Sequence, residues 1–233
     1  MPDGCTELLF DFGEAKRSQM AGQLSSAFEF QPSGAINLLG VRFHAHGIFP
    51  FLHLPLLEMT DRVVALHEVW NSLSKELGPR MFEASEDRRK IDLVEDLLLT
   101  MVGKRDLRPD THVKNAVECI VSNEGQISIE ELTRQIGLGR RQLERKFALQ
   151  VGVSPKLYTR IIRFQKIINL VQKAEDYEWP DVLVDCGYYD QSHLIRDFKA
   201  FSGRTPSDYF NADETMARLF QLGKRKTYFY NTF

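Results

Sequence analysis

Residues 143–155, with the sequence LERKFALQVGVSP, return as residues 194–206, with the sequence LIRDFKAFSGRTP, and this repeat decides the fold of the second half of the chain. Six positions match at one constant offset with no gap. The matched pairs are Leu143 and Leu194, Arg145 and Arg196, Phe147 and Phe198, Gly152 and Gly203, Ser154 and Thr205, and Pro155 and Pro206. Such a repeat indicates one supersecondary unit used twice. Gly137 and Gly187 close a short apolar pattern before each copy, so each unit is predicted to be a helix, a tight turn and a second helix.

The first copy carries residue types that begin, end and orient two helices. Ser128 precedes Glu131 by three residues, which is a capping box and predicts a helix start. In the second helix of the unit, Leu143 and Phe147 lie one turn apart and are predicted to be buried. The side chains left facing outward are Arg140, Arg141, Gln142, Glu144, Arg145 and Lys146.

The second copy has the same inward pair, Leu194 and Phe198, and Pro180 suits the first turn of its first helix. Its outward side chains are Gln191, Ser192, His193, Arg196 and Lys199. We call the second helix of each unit its reading helix. Two such helices in one chain predict two similar polar surfaces.

The segment between the copies predicts one long helix from Pro155 to Lys173, with Ser154 as its cap. Its apolar stripe consists of Leu157, Ile161, Phe164, Ile168 and Val171, and its basic stripe of Lys156, Arg160 and Arg163. The helix would be roughly 28 Å long at about 1.5 Å per residue. Major-groove faces of B-DNA recur about every 34 Å, so this spacer can hold the two reading helices in consecutive turns.

These residues carry a resemblance to a known family. From about residue 111 to 210, the sequence resembles the DNA-binding domain of the AraC family of bacterial transcription regulators, in which a long helix joins two helix-turn-helix units. Residues 186–209, CGYYDQSHLIRDFKAFSGRTPSDY, are especially close to the second unit of that family. The family usually has small residues at the positions of Leu183 and Asp185 and a serine at the position of Gly139. These departures concern the packing of the first helix of the second unit and the cap of the first reading helix. They leave the pattern of two helix-turn-helix units unchanged.

The first half of the chain predicts a different kind of structure. Residues 2–13, PDGCTELLFDFG, alternate apolar and polar positions and predict a half-buried strand. Short strands are predicted within residues 23–34 and 35–52, and helices over about 60–77 and 85–102. The fold class is therefore α+β. We predict a small β-rich domain with two helices over residues 1–102, a linker over 103–110, an all-α domain over 111–210, and a C-terminal tail over 211–233.

The N-terminal third resembles, more faintly, a sensor-like domain that precedes the DNA-binding module in a subset of the family. The segments that carry this resemblance are PDGCTELLF and GVRFHAHG, with His44 and Ala45 where the pattern has a basic residue and a proline. Further strands normally precede that pattern, so either the domain is truncated or other parts of the chain supply them. The resemblance implies regulation by an effector or a partner at this domain. The identity of any effector and the presence of a homodimer stay open.

Charge is distributed unevenly along the chain. Residues 1–110 contain 12 Lys and Arg against 17 Asp and Glu, a net charge of −5, and residues 111–233 contain 18 against 15, a net charge of +3. Residues 137–173 carry nine basic side chains and one acid, which is typical of a segment that neutralises phosphates. One acidic side chain cannot neutralise nine basic ones, so we expect a polyanion as the partner of this segment.

The composition also bounds the compartment and the chemistry. No apolar run approaches the roughly 20 residues that cross a bilayer, and no secretory signal begins the chain, so we expect no membrane partner and a cytoplasmic location. Three scattered cysteines, Cys5, Cys119 and Cys186, favour reduced thiols over disulfides and supply no alkyl-accepting centre. His44 and His46, with His53 or Cys5, are weak metal candidates because no further ligand stands at a set spacing. We expect no metal and no cofactor.

We therefore predict a sequence-specific regulator that binds double-stranded DNA and has no catalytic activity. The residues predicted to read bases are Arg141, Gln142, Glu144, Arg145, Gln191, Ser192, His193 and Arg196. The residues predicted to contact the DNA backbone are Arg140, Lys146, Arg160 and Lys199. Two alternatives stay open: a metal-dependent or small-molecule enzyme in the N-terminal domain, and a module whose helices bind protein rather than DNA.

Overall fold

The computed structural model describes residues 1–14, 16–28, 37–52, 54–104, 110–173 and 177–211, with the backbone alone at 103, 104 and 211. His53, the strand predictions within 29–36, most of the predicted linker and the tail beyond residue 211 lie outside these ranges. The described residues form an antiparallel sheet with three helices and then a helical domain. This order confirms the α+β fold class.

The N-terminal sheet is built around its first strand. β1 (Thr6–Asp11) lies between β2 (Arg17–Ala21) and β3 (Leu38–Phe43), and β4 (Val63–Ala65) pairs with β2, all antiparallel. Leu8 and Phe10 are fully buried, and the alternating burial along β1 confirms the strand predicted from the sequence. This face of the sheet packs on the helices that follow.

Three helices complete this domain: α1 (Leu66–Val69), α2 (Asn71–Glu83) and α3 (Asp87–Lys104). The predicted single helix over residues 60–77 is wrong, because its first part joins the sheet as β4 and the backbone breaks at Trp70 (φ −144°, ψ 64°). The predicted helix over residues 85–102 is confirmed as α3, displaced by two residues. Residues 23–28 form no strand, and one-turn 3-10 helices at Phe49–Phe51 and Leu56–Met59 stand after β3.

The helical domain has seven helices within the described residues: α4 (Thr111–Ser122), α5 (Ile129–Ile136), α6 (Arg140–Gln150), α7 (Pro155–Lys173), α8 (Trp179–Asp185), α9 (Gln191–Ser202) and α10 (Pro206–Asn211). The spacer helix has the bounds predicted from the sequence. Helices α5 and α6 form the first helix-turn-helix unit, and α8 and α9 the second. α6 and α9 are the reading helices.

The repeat is visible at the level of single atoms after each reading helix. Gly152 and Gly203 both adopt positive φ angles, of 94° and 76°, which glycine takes without the steric strain of a side chain. The next helix then begins at a side-chain cap: Ser154 Oγ accepts the Leu157 N–H at 3.2 Å, and Thr205 Oγ1 accepts the Asp208 N–H at 3.2 Å. The matched residues therefore set the same backbone path twice.

The N-terminal domain packs directly on the helical domain. The Thr60 hydroxyl donates to the carbonyl oxygen of Gly152 at 2.6 Å, immediately after the first reading helix. On α7, the Gln165 amide donates to the carbonyl oxygen of Pro2 at 2.6 Å. Ala45, almost fully buried, belongs to the core of the first unit. The two domains therefore share part of their cores.

Candidate nucleic-acid interface

The first reading helix, α6, presents a polar face to solvent. Leu143 and Phe147 are fully buried beneath it, as predicted. Of the predicted base readers on this helix, Arg141, Gln142 and Arg145 are exposed and Glu144 is half-buried. Arg140 lies on the same face, and its Nε donates to Glu144 Oε1 at 3.0 Å. This pair reduces the local positive charge at the start of the helix.

The second reading helix, α9, repeats this arrangement. Leu194 and Phe198 are buried, and Gln191, Ser192, Arg196 and Lys199 are exposed. His193 is half-buried, with its ring edge-on to that of Tyr188 at 5.1 Å between centroids. The helix begins at Asp190, whose carboxylate accepts the backbone N–H of His193 at 2.7 Å. Asp190 is a cap that the sequence analysis missed, although aspartate before a helix is a recognisable signal.

Four cations on the reading helices have no acidic partner among the residues that the structure describes: Arg141, Arg145, Arg196 and Lys199. Two lie on each reading helix. An exposed guanidinium without a carboxylate neighbour keeps its hydrogen-bond donors for an external acceptor. The two reading helices therefore present matched positive surfaces.

The other predicted backbone contacts have partners inside the chain. Arg140 pairs with Glu144, Lys146 with Asp110, and Arg160 with Asp197. Whether any of the three also contacts DNA stays a prediction.

Asp110 has two roles at the start of α4. Its carboxylate caps the helix by accepting the His112 N–H at 3.0 Å, and it accepts from the Lys146 ammonium. Partial burial disfavours the charged carboxylate, but the hydrogen bonds from Lys146 and from the His112 backbone outweigh burial and lower the pKa of Asp110 to about 2. The first reading helix is thus tied to the helix that precedes its unit.

Asp197 is the most informative residue that sequence reasoning missed. It lies on α9 between exposed Arg196 and buried Phe198, and only 3% of its side chain is exposed. Leu194 stands three positions before it, so helical spacing places Asp197 on the inward face. A charged residue at an inward position was the available signal.

A group of hydrogen bonds joins the two units to each other. Arg163, predicted to belong to an outward basic stripe, donates instead to the carbonyl oxygen of Gly125 through Nε at 3.2 Å and Nη2 at 2.8 Å. The Gln126 amide and the Lys166 ammonium both donate to the carbonyl oxygen of Asp185, at 2.8 and 2.6 Å. These bonds connect the turn before α5 with the end of α8. They oppose independent rotation of the two units.

The metal candidates do not form a site in the described part of the chain. No group of three or more His, Cys, Asp and Glu side chains is placed there to hold a metal ion, and His53 lies outside it. His46 is half-buried, and burial lowers its pKa. Burial also raises the pKa of the Cys5 thiol to about 12 and that of Cys186 to about 11, so neither is a thiolate at neutral pH. Across the described residues, no helix is long and apolar enough to span a membrane.

Parts of the chain are similar to known proteins. Residues 132–212 match the family model of a helix-turn-helix domain, and residues 1–65 match that of a domain of unknown function, DUF6597. The chain is 30% identical over 86 residues to the HTH-type transcriptional regulator MtrA of Neisseria gonorrhoeae. These residues make up 37% of this chain and 28% of MtrA. The chain is also similar to a crystal structure of apo ToxT from Vibrio cholerae. The aligned residues cover 88% of this chain and 84% of the ToxT chain, with a TM-score of 0.42 and 14% sequence identity.

The fold, the matched model and the arrangement of α6 and α9 define a helix-turn-helix protein. Two such units joined by the long helix α7 are the arrangement that the resemblance to the AraC family implies. The helix-turn-helix match over residues 132–212 and the similarity to MtrA support the resemblance to the AraC family seen in the sequence. The chain spans 28% of the length of MtrA.

Proposed function

We propose that the protein is a transcription regulator that binds double-stranded DNA and places its two reading helices in consecutive major-groove segments. The observation that carries this proposal is that Arg141 and Arg145 on α6 and Arg196 on α9 are exposed and have no acidic partner within the part of the chain that the structure describes. α7 separates them with a length of roughly 28 Å, close to the repeat of about 34 Å between major-groove faces. The hydrogen bonds of Arg163, Gln126 and Lys166 support a fixed relation between the units.

We assign base readout to the outward side chains of the two helices. Arg141 and Arg145 lie one turn apart on α6, and Arg196 occupies on α9 the position that Arg145 has on α6. A guanidinium matches the O6 and N7 acceptors of guanine with two donors. Amide, hydroxyl, imidazole and carboxylate groups suit the remaining base edges, and these are carried by Gln142, Glu144, Gln191, Ser192 and His193. Lys199 and Arg140 are assigned to phosphates.

Regulation is proposed to act through the N-terminal domain. Its Thr60 contacts Gly152, two residues after the end of α6, and its Pro2 contacts α7, so a ligand or partner that moved this domain would act on the first reading helix. One chain supplies both reading helices, so the proposal does not require a homodimer. The identity of an effector and the oligomeric state each require a measurement of their own.

Selection of bound sequences from a random DNA pool tests the proposal. We expect one contiguous, non-palindromic sequence, with affinity that falls steeply as salt rises, because phosphate contacts release counterions. Arg145→Ala and Arg196→Ala should each weaken specific binding by roughly 1 to 3 kcal/mol, at different positions of the site. Arg80→Ala, an exposed arginine of α2, is the matched control and should leave binding unchanged.

Three outcomes would contradict the proposal. Recovery of no sequence preference would remove the assignment of base readout. Tight binding of a protein with no affinity for DNA would favour an interaction module. Stoichiometric zinc in the purified protein would revive the enzyme alternative.

A further inference from the structure

The second reading helix contains a buried carboxylate that the proposed DNA contacts do not use. Asp197 has 3% of its side chain exposed, on the inward face of α9. A buried carboxylate is costly in free energy unless it is paired and hydrogen-bonded. Asp197 lies beside the buried apolar side chains of Leu194 and Phe198, and a charged group at that place calls for a function in orienting this helix.

Arg160 of α7 satisfies that carboxylate with two donors. Its Nη2 donates to Asp197 Oδ1 at 2.7 Å, and its Nε lies 3.2 and 3.3 Å from the two carboxylate oxygens. The same guanidinium lies over the ring of Phe201, 5.1 Å from the centroid. Both contacts are with α9, so Arg160 connects the spacer helix to the second reading helix in one geometry.

Two further groups of the second unit face the same carboxylate. The Tyr188 hydroxyl lies 3.5 Å from Asp197 Oδ2, and His193 Nε2 lies 3.8 Å from it. His193 stands one turn before Asp197 and is a proposed base reader. The carboxylate of Asp197 therefore lies between Arg160 of α7 and His193, a proposed base reader of α9.

The first unit has an ion pair at the equivalent place with the opposite polarity. The constant offset of the repeat aligns Asp197 with Lys146, and Lys146 pairs with Asp110 at the start of α4. α4 precedes the first unit as α7 precedes the second. In each unit, therefore, one charged residue of the reading helix is tied to the helix before that unit.

Building on the proposed function, we propose that Arg160 and Asp197 are positioning residues: their ion pair sets the angle at which the second reading helix meets the bases. Arg160 then acts on sequence recognition without touching DNA. This departs from the expectation that Arg160 contacts the DNA backbone. The inference predicts that the pair determines discrimination at the second half of the binding site alone.

The decisive variant replaces both partners, as Arg160→Leu with Asp197→Leu, because removal of the pair leaves no unpaired buried charge. We expect discrimination between the selected bases and their replacements to fall on the order of tenfold in the second half of the site. Recognition of the first half, affinity for random DNA and the slope of log affinity against log salt should match the wild type.

A phosphate contact by Arg160 would give a different result. Its loss would weaken binding to every sequence alike and reduce the salt slope by about 0.9. That outcome would overturn the inference, as would unchanged discrimination in the second half. Lys156→Leu, which removes an exposed lysine of α7, calibrates the effect of losing a cation on this helix.

A second variant keeps the test decisive if the double substitution does not fold. Arg160→Lys preserves the positive charge but not the two-donor geometry. A positioning residue predicts lost discrimination in the second half, whereas a phosphate contact predicts binding close to that of the wild type. Failure of the proposed function is distinguishable, because the wild type itself would then show no sequence preference.

Discussion

The two helix-turn-helix units follow one backbone path but differ in their polar contacts. Both reading helices are followed within two residues by a glycine with positive φ, and both bury a leucine and a phenylalanine one turn apart. Their starts differ. The second begins at Asp190 with a side-chain cap, whereas the first begins at Gly139 with none. The repeat preserves the residues that shape the backbone and the core, while the polar residues have diverged.

The units also differ in what surrounds them. Gly152, after the first reading helix, lies against Leu56 and Thr60 of the N-terminal domain. Gly203, after the second, has room for a methyl group beside Ala27. The first unit is therefore the one that the N-terminal domain holds most closely. Under the proposed regulation, this is the unit through which that domain would act.

The largest expected effect tests whether the two units are equivalent in packing. Leu143→Ala and Leu194→Ala remove side chains that are 0% and 2% exposed, and each should lower the free energy of unfolding by about 2 to 5 kcal/mol. Urea unfolding of the two variants measures the loss. A negligible loss in either variant would show that its unit is not packed as described.

Substitution of the glycine that follows each reading helix tests how closely the N-terminal domain contacts each unit. Both Gly203→Ala and Gly152→Ala place a methyl group at positive φ, which should destabilise by about 1 kcal/mol. At Gly152 the added Cβ would also lie 3.0 Å from the carbonyl oxygen of Leu56 and 3.1 Å from Thr60 Oγ1. We therefore expect Gly152→Ala to be the more destabilising by about 1 kcal/mol or more in thermal or urea unfolding. Equal losses would argue against close contact between the domains.

The ion pair of the first unit makes a pH-dependent prediction. Because the pKa of Asp110 is lowered in the folded chain, its stabilising contribution is complete above the unfolded value of about 3.9 and disappears as the pH falls through about 2. Asp110→Asn keeps a capping side chain but loses the pair with Lys146. It should be less stable than the wild type at neutral pH by about 1 kcal/mol.

That difference should vanish between about pH 4 and pH 2, as followed by urea unfolding across the pH range. The control is Asp96→Asn, at an exposed carboxylate of α3 without an ion pair among the described residues. Its free energy of unfolding, plotted against pH, should run parallel to that of the wild type. A constant difference for Asp110→Asn at every pH would contradict the ion pair.

The caps give the smallest expected effects, with opposite signs in the two units. Asp190→Ala should destabilise by about 1 kcal/mol, because the His193 N–H loses its acceptor. Gly139→Ser should stabilise by a few tenths of a kcal/mol, because a serine there has open space and can accept the Gln142 N–H. Shifts in the thermal midpoint check both. A destabilising serine would show that the first reading helix starts differently.

The sequence predicted the frame of the helical domain because that frame depends on local signals. Caps, helix-ending glycines and apolar spacing all act within a few residues, so the bounds of α7 followed directly from Ser154, Pro155 and the stripe behind them. The repeat then gave each signal twice. For these reasons the core pairs and the exposed reading faces were predicted together.

Features that depend on distant parts of the chain were not predicted. β2 has a weak apolar pattern and is a strand because it pairs with β1 and β4. The break at Trp70 separates α1 from α2 at a buried residue whose ring packs on that of Phe51, nineteen positions earlier in sequence. Arg160 and Arg163 looked like outward cations because their acceptors lie more than thirty positions away in sequence. Side-chain type alone does not reveal such partners.

The central claim is that one chain holds two reading helices in neighbouring grooves. A protection footprint of the protein on its selected DNA, measured at a concentration where sedimentation shows a monomer, tests it most directly. We predict a contiguous protected site of about two helical turns, roughly 20 base pairs, with the Arg145→Ala and Arg196→Ala variants each losing protection at opposite ends. Protection of one turn only, or loss at the same end for both variants, would contradict the account.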